Sequence, residues 1–309
     1  MGSSALGILV LPVLKLLSWF YYFLPTRARR GCGNALGWIL LKLEMRTRVV
    51  RENLQIAFPA AEEKRQRLFL DAYRHLGSLS LEILMLLGPM KRYCEKFSTI
   101  HGVEHWKAAK AQGRGVIMLA SHVGNWEVMA ATGALHAEID IMLVTKHLKP
   151  EWLHQAIERG RLKCAVRATY EPRTFRDVLA HLKKNGTIGF VLDQYAGPPV
   201  GVRVPVFGVP VGTHMTVATL AKRTGATVLP SVNFRTPDGR METHIFEPLT
   251  WEAHDDPAYE LAANTARYAA ILEKHILAHA DQWLWIHRRF KGDLTPLREG
   301  EWKEGRARR

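Results

Sequence analysis

The sequence predicts an α/β fold: a mixed, mostly parallel sheet flanked by helices and preceded by an N-terminal membrane helix. Short apolar runs rich in β-formers recur after residue 98, and helical patterns lie between most of them. This alternation is typical of parallel strands that are joined by crossover helices in a sheet buried on both faces. The membrane helix is predicted from an apolar N-terminal stretch that is long enough to cross a bilayer.

The predicted strands are short and rich in β-branched residues: Val116–Ala120, Ile139–Val144, Cys164–Ala168, Thr187–Leu192, Thr227–Phe234 and Glu242–Phe246. The predicted helices lie between or after them: Trp126–Leu135, Glu151–Lys163, Thr174–Lys184, His214–Thr224 and Pro257–His279. Residues 52–98 have a helical pattern, in which Gly88-Pro89 ends the Leu-rich helix. We interpret the segment that holds Pro205, Gly208, Pro210 and Gly212 as a loop.

The apolar stretch Ala5–Leu24 contains one charge, Lys15, and one proline, Pro12. At 1.5 Å per residue its 20 residues extend about 30 Å, which matches the hydrocarbon core of a bilayer. Arginines follow it at once, so the positive-inside rule places the main domain in the cytoplasm. A cleaved signal peptide is less consistent with the uncharged MGSS start. A helix that lies in the membrane interface remains an open alternative.

The chain of 309 residues has 43 Lys and Arg against 29 Asp and Glu, a formal charge of +14. Hydrophobic residues make up 47% of it, which excludes a disordered chain. The three separate cysteines exclude a disulfide-rich module and are interpreted as buried thiols in a reducing compartment. The positive charge predicts an acidic partner, namely nucleic acid, anionic lipid or an acidic protein.

The distribution of charge divides the chain into three predicted parts. Residues 1–26 form the anchor helix, residues 27–98 a basic juxtamembrane segment and helical neck, and residues 99–309 the α/β domain with a basic tail. Residues 27–51 hold seven basic residues against one acidic residue, which suits an anionic leaflet. Arg288 and Arg289 are candidates for contact with phosphate or with the bilayer. Because helix-turn-helix, RNP and finger patterns are missing from the sequence, a nucleic-acid-binding protein is the weaker alternative.

The string LASHVGNWEVMA, residues 119–130, follows a predicted strand and enters a predicted helix. Ligands of α/β sheets tend to bind at such a strand end. His122 and Glu127 lie five residues apart, with Gly124 and Asn125 between them to let the chain turn. An imidazole beside a carboxylate is the pair that a general base requires, since the carboxylate fixes the tautomer and stabilises the imidazolium.

The sequence lacks GxSxG, HExxH, P-loop and GxGxxG motifs, so a serine nucleophile, this zinc motif and these two nucleotide-binding motifs are not indicated. A one-step transfer, in which His122 activates an acceptor hydroxyl, fits this pattern better than a covalent acyl-enzyme. We expect no metal and no cofactor.

The motif SHVGNWE resembles the H-x4-D/E motif of the lysophospholipid acyltransferase superfamily. The fuller pattern resembles the bacterial lipid A biosynthesis late acyltransferases, the lauroyl/myristoyl family. The matching segments span nearly the whole chain: RVVRENLQIAFP (48–59), YRHLGSLSLE (73–82), GVIMLASHVGNWE (115–127), LDQ (192–194), VPVFGVPVGTH (204–214), LAKRTGATVLP (220–230) and LWIHRRFK (284–291). The resemblance implies a glycerolipid acyltransferase-like fold at the bacterial inner membrane with a cytoplasmic active site. It also implies an acyl carrier protein thioester as donor and a phosphorylated glycolipid precursor as acceptor.

The resemblance carries His122 over as the catalytic base and Glu127 as its partner. The residues expected to contact substrate are Asn125, Arg159 or Arg161, Asp193 and Gln194. The chain departs from the family at Val123, at Val206-Phe207 and at Lys146–Pro150. These differences leave the acyl length and the acceptor open. The alternatives are the same chemistry on a phosphoinositol mannoside or an aminolipid, and a non-catalytic basic membrane scaffold.

Overall fold

The structure is a computed structural model that describes residues 2–296, with side chains described from residue 7 onward. Its α-helices in this range are α1 Gly2–Phe23, α2 Thr26–Lys42, α3 Thr47–Ala57, α4 Glu62–Leu84, α5 Met90–Phe97, α6 Val103–Ala111, α7 Trp126–Ala137, α8 Glu151–Lys163, α9 Thr174–Lys183, α10 Thr216–Thr224 and α11 Pro257–Ala278. Its strands are β1 Ser98–His101, β2 Val116–Ala120, β3 Ile141–Val144, β4 Arg167–Thr169, β5 Thr187–Val191, β6 Gly201–Val206, β7 Val209–His214, β8 Thr227–Arg235 and β9 Met241–Ile245. The tail arginines at 306, 308 and 309 lie outside the described residues.

Seven strands form one mixed sheet in the order β1-β9-β8-β2-β5-β3-β4. The pairs on both sides of β2 are parallel, and only β8–β9 is antiparallel among the pairs of this sheet in residues 2–296. Every residue of β2 is buried, because helices cover both faces of the sheet centre. The predicted mixed, mostly parallel α/β fold is confirmed.

The helical neck packs on itself through small residues. Gly33 and Gly37 lie one turn apart on α2 and face α4, where a Cβ added at Gly37 would come within 2.2 Å of the Tyr73 carbonyl oxygen. A Cβ at Gly77 of α4 would likewise meet the Gly33 carbonyl oxygen at 2.1 Å. These contacts bring the two helix backbones together and leave α4 to pack its other apolar residues against the domain.

Three predicted elements are corrected by the structure. The segment interpreted as a loop is an antiparallel hairpin, in which β6 and β7 pair from Gly201–His214 to Val206–Val209. His214 therefore ends a strand, and α10 begins at Thr216. The predicted strand at Cys164 begins at Arg167, because Cys164 caps the C-terminus of α8. The alternating Val and Pro residues of the hairpin resemble a loop because proline is usually excluded from central strands.

Within residues 2–296, no helix combines the length and the apolar character needed to cross a bilayer. The transmembrane span that the sequence predicts at the N-terminus is not found in this range. The corresponding helix, α1, packs one side on the domain, where Ser18 and Tyr21 are buried and Gly7 lies against Trp152. Its other side is apolar and exposed: Ile8, Leu9, Val13, Leu16, Leu17, Phe20 and Phe23 are all at least 49% exposed.

The cysteines and the basic residues after α11 also differ from expectation. Cys94 and Cys164 are buried free thiols, but Cys32 is exposed. Arg289 is 2% exposed and hydrogen-bonds to the Gln194 and Gly212 carbonyl oxygens, so it holds the hairpin instead of facing a bilayer. Arg288 is exposed.

Candidate active site

The catalytic candidate His122 lies at the carboxyl end of β2, next to the carboxyl end of β5. Ala120 and Val191 are paired in the parallel register, so the residues two positions further on, His122 and Asp193, come together. His122 Nδ1 lies 2.7 Å from Asp193 Oδ1, and the His122 backbone N–H donates to Asp193 Oδ2 at 2.8 Å. The imidazole is thereby held by its own backbone and by a neighbouring strand.

Asp193 is buried and is surrounded by donors. Trp283 Nε1 donates to Asp193 Oδ2 at 2.6 Å, in addition to the two bonds from His122. Burial alone would raise the pKa of Asp193, but the charge and hydrogen bonds of His122 and the indole of Trp283 outweigh it and lower that pKa to about 2. Asp193 is therefore ionised at any neutral pH. An ionised Asp193 accepts the Nδ1 proton of His122 and leaves the lone pair of His122 on Nε2.

The Nε2 side of His122 faces an amide and a second histidine. Gln194 Nε2 lies 3.1 Å from His122 Nε2 and 2.8 Å from His287 Nε2. Burial and, to a lesser extent, the nearby His122 together lower the pKa of His287 to about 4, so His287 is neutral at neutral pH. The Gln194 amide nitrogen thus lies within hydrogen-bond distance of both imidazoles. Trp126 closes the other side, with its ring centroid 4.6 Å from that of His122.

Glu127, the expected carboxylate partner, points elsewhere. It is 5% exposed and makes a two-pronged ion pair with Arg161, whose Nε donates to Glu127 Oε2 at 2.9 Å. Burial would lower the pKa of Arg161, but its hydrogen bonds to the Glu127 carboxylate and the charge of Glu127 raise that pKa above its ordinary value. Among the described residues the carboxylate that bonds to the His122 ring is Asp193. The expected His122–Glu127 pairing is thus corrected.

The other predicted site residues on α7 and α8 are Asn125 and the two candidate arginines. Arg161 is buried in the ion pair, whereas Arg159 is exposed on α8. Asn125 is fully buried and caps α7, where its Oδ1 accepts from the Glu127 and Val128 backbone N–H groups. Its Nδ2 donates to Glu82 at 3.2 Å, so the Asn125 side chain binds within the protein instead of facing substrate.

A family model described as bacterial lipid A biosynthesis acyltransferase matches residues 6–292 of the chain. The chain belongs to this family of acyltransferases. It is 28% identical over 276 residues to the lipid A biosynthesis lauroyltransferase of Escherichia coli K12, and the aligned region covers 86% of each chain. It is 27% identical over 277 residues to the palmitoleoyltransferase of the same strain, with 88% of each chain covered. A phosphatidylinositol mannoside acyltransferase of Mycobacterium tuberculosis is 28% identical over 211 residues, 65% of this chain and 63% of that one.

The structure of this acyltransferase adds site residues that sequence reasoning left out. Trp283 and His287 are not among the predicted site residues, yet both contact the His122–Asp193–Gln194 group. Glu82 is 2% exposed and pairs with Arg235 through two bonds of 2.8 Å beside Asn125. A signal for Glu82 was present, since it is a single acid in an almost wholly apolar helical run and such a charge needs a buried partner.

Proposed function

We propose that this acyltransferase moves a fatty acyl chain from acyl carrier protein to a hydroxyl of a phosphorylated lipid A precursor. The observation that carries the proposal is the position of His122. Its Nδ1 is bonded to an ionised Asp193, and its Nε2 lone pair faces the Gln194 amide at a strand end, as a general base requires. Membership of the lipid A acyltransferase family supports the reaction class and the glycolipid acceptor.

The proposed reaction is a direct transfer. The acceptor hydroxyl takes the place of the Gln194 amide at His122 Nε2, and its oxygen attacks the thioester carbonyl carbon as its proton passes to Nε2. Asp193 stabilises the imidazolium that results. The tetrahedral intermediate then collapses, the C–S bond breaks, and the departing thiolate takes the proton back from Nε2. The displaced Gln194 amide is a donor of the kind that stabilises the carbonyl oxygen as it becomes negative.

Acyl carrier protein as donor is supported by charge. The chain carries +14, and acidic carriers are drawn to a basic surface before they dock. We expect the purified enzyme to form product from an acyl carrier protein thioester and a phosphorylated lipid A precursor, as measured by mass spectrometry. A panel of acyl lengths on the carrier, with phosphoinositol mannoside and an aminolipid as parallel acceptors, tests the donor and the acceptor separately. Transfer to phosphoinositol mannoside alone would contradict the acceptor, and transfer from acyl-coenzyme A alone would contradict the donor.

We also propose that the enzyme lies on the cytoplasmic face of the inner membrane with the exposed side of α1 in the interface. The seven exposed apolar residues of that side form a stripe, and the basic segment 27–51 follows directly. Such a stripe next to positive charge suits an anionic leaflet.

Replacing Leu16 and Phe20 with glutamate is expected to lower binding to anionic vesicles by at least about tenfold, because each buried large apolar side chain contributes roughly 1.5–3 kcal/mol. The fraction of protein that floats with vesicles in a density gradient measures this. Leu277→Glu is the control, since Leu277 is 42% exposed on α11, away from the stripe. Equal flotation of the double variant and the control would contradict the role of α1.

A further inference from the structure

A cavity of about 480 Å³ lies between α2, α4 and the end of β8, and none of the His122 site residues lines it. Its polar lining is rich in basic groups. Four arginines surround it, Arg29, Arg30, Arg74 and Arg235, against the two carboxylates of Asp71 and Asp281. Arg235 is already paired with Glu82 and Arg74 with Asp71. Asp281 then remains against Arg29 and Arg30, so the lining keeps a surplus positive charge.

Arg29 is 5% exposed, and its Nη1 is buried without a hydrogen-bond partner. Its only side-chain hydrogen bond within residues 2–296 goes from Nη2 to Thr26 Oγ1 at 3.2 Å, and it has no carboxylate partner in that range. The guanidinium lies 4.1 Å from the Phe97 ring centroid, which orients it but does not neutralise it. A buried charge without a counter-ion is costly, so this arrangement fits a group whose partner is an anion from outside the protein.

His75, on the α4 wall of the same cavity, is also unpartnered. It is 4% exposed, and neither ring nitrogen has a hydrogen-bond partner. Burial lowers its pKa well below the ordinary value, and the charge of Arg235 lowers it further, so the ring is neutral. A neutral imidazole still carries one N–H donor and one acceptor nitrogen. Both suit an anion that retains a proton, such as a phosphate monoester near neutral pH.

The first turn of α2 adds to the positive potential. Thr26 begins α2 and lines the cavity, and the turn has neither a side-chain N-cap nor an acidic residue. The free N–H groups and the positive end of the helix dipole therefore face an uncompensated region.

We infer that this cavity is an anion site for a phosphate group, with Arg29 and His75 as its buried ligands. Arginine is suited to this task because its planar fork matches phosphate oxygens. The cavity and the catalytic histidine are separated by the short segment Gln282–Leu284. Gln282 lines the cavity, Trp283 donates to Asp193, and the Leu284 N–H donates to the His122 carbonyl oxygen. The inference does not require acyl transfer, because phosphate binding is measured without turnover.

The test is titration calorimetry of the full chain at constant ionic strength with three soluble probes: inorganic phosphate, glucosamine 1-phosphate and dihexanoyl phosphatidic acid. Arg29→Met should lower the affinity for the bound probe by at least about tenfold. Arg27→Met, on the same helical turn but exposed and outside the cavity, should leave it within about twofold. Tighter binding of glucosamine 1-phosphate would identify a glycolipid phosphate as the natural group, and tighter binding of the phosphatidic acid a phospholipid headgroup. Absence of binding by the wild type, or equal binding by Arg29→Met, would overturn the inference.

The thermal midpoint without probe separates a ligand role from a structural one. Because Arg29 is a buried charge without a counter-ion, its replacement by methionine should leave the midpoint equal or higher. A much lower midpoint would show that Arg29 supports the fold and would overturn the inference. If Arg29→Met does not fold, Arg29→Lys is the replacement, because it keeps the charge but loses the planar guanidinium. Binding of the probe by Arg29→Lys as tight as by the wild type would also overturn the inference.

Discussion

Replacing His122 with alanine is expected to lower acyl transfer by about 10²- to 10⁴-fold while the protein remains folded. The imidazole is 13% exposed, and its ring bonds to Asp193 and also contacts Gln194 and Trp126. The backbone N–H of residue 122 would still donate to Asp193 Oδ2, and Trp283 would still donate to the same oxygen. Initial rates with an acyl carrier protein thioester, together with a thermal midpoint, measure both effects.

A second substitution at the same position separates chemistry from packing. His122→Asn places an amide N–H near the position of the His122 Nδ1, from which it can donate to Asp193, but an amide has no basic nitrogen. This variant should therefore be as inactive as the alanine variant and more stable. His254→Ala is the surface control, because His254 is exposed and lies far along the chain. A normal transfer rate in either His122 variant would show that the base lies elsewhere.

The sequence allowed the sheet and the identity of His122 to be predicted, for a shared reason. β2 and β5 are buried on both faces and appear as continuous apolar runs, so their ends are visible, and the polar residues that follow them stand out as His122 and Asp193. The contact between these two depends on which strands are neighbours. Strand order is a property of the whole sheet, so spacing along the chain favoured Glu127, which is near in sequence and paired with Arg161 in space.

The hairpin was mispredicted because tertiary contacts decide it. Pairing of β6 with β7 places Pro205 opposite Pro210, where neither residue has an N–H to give to the ladder. In α1 some apolar residues pack against the protein and others form an exposed stripe. Composition alone cannot distinguish these two sides of the helix. The site residues Trp283, His287 and Glu82 come from segments far apart in sequence and meet only in the fold.

Asp193→Asn and Glu127→Gln are expected to fail in different ways. The first removes the charge that stabilises the His122 imidazolium and permits the wrong ring tautomer, so the rate should fall about 10²- to 10⁴-fold with a small change in stability. The second leaves Arg161 with Glu158 as its remaining carboxylate partner, 2.7 Å from Nη1, so the loss of the Glu127 charge should cost about 1–3 kcal/mol. Denaturant unfolding and initial rates, measured on both variants, separate the two.

The double variant Glu127→Leu, Arg161→Met decides what Glu127 does. If the Glu127–Arg161 pair only holds α7 against α8, replacing both charges with apolar groups should recover much of the lost stability and, with it, much of the transfer activity. Asp193→Asn has no such rescue, because the carboxylate acts on the ring that takes the proton. A stable but inactive Glu127→Gln beside an active Asp193→Asn would reverse the assignment and restore Glu127 as the partner of His122.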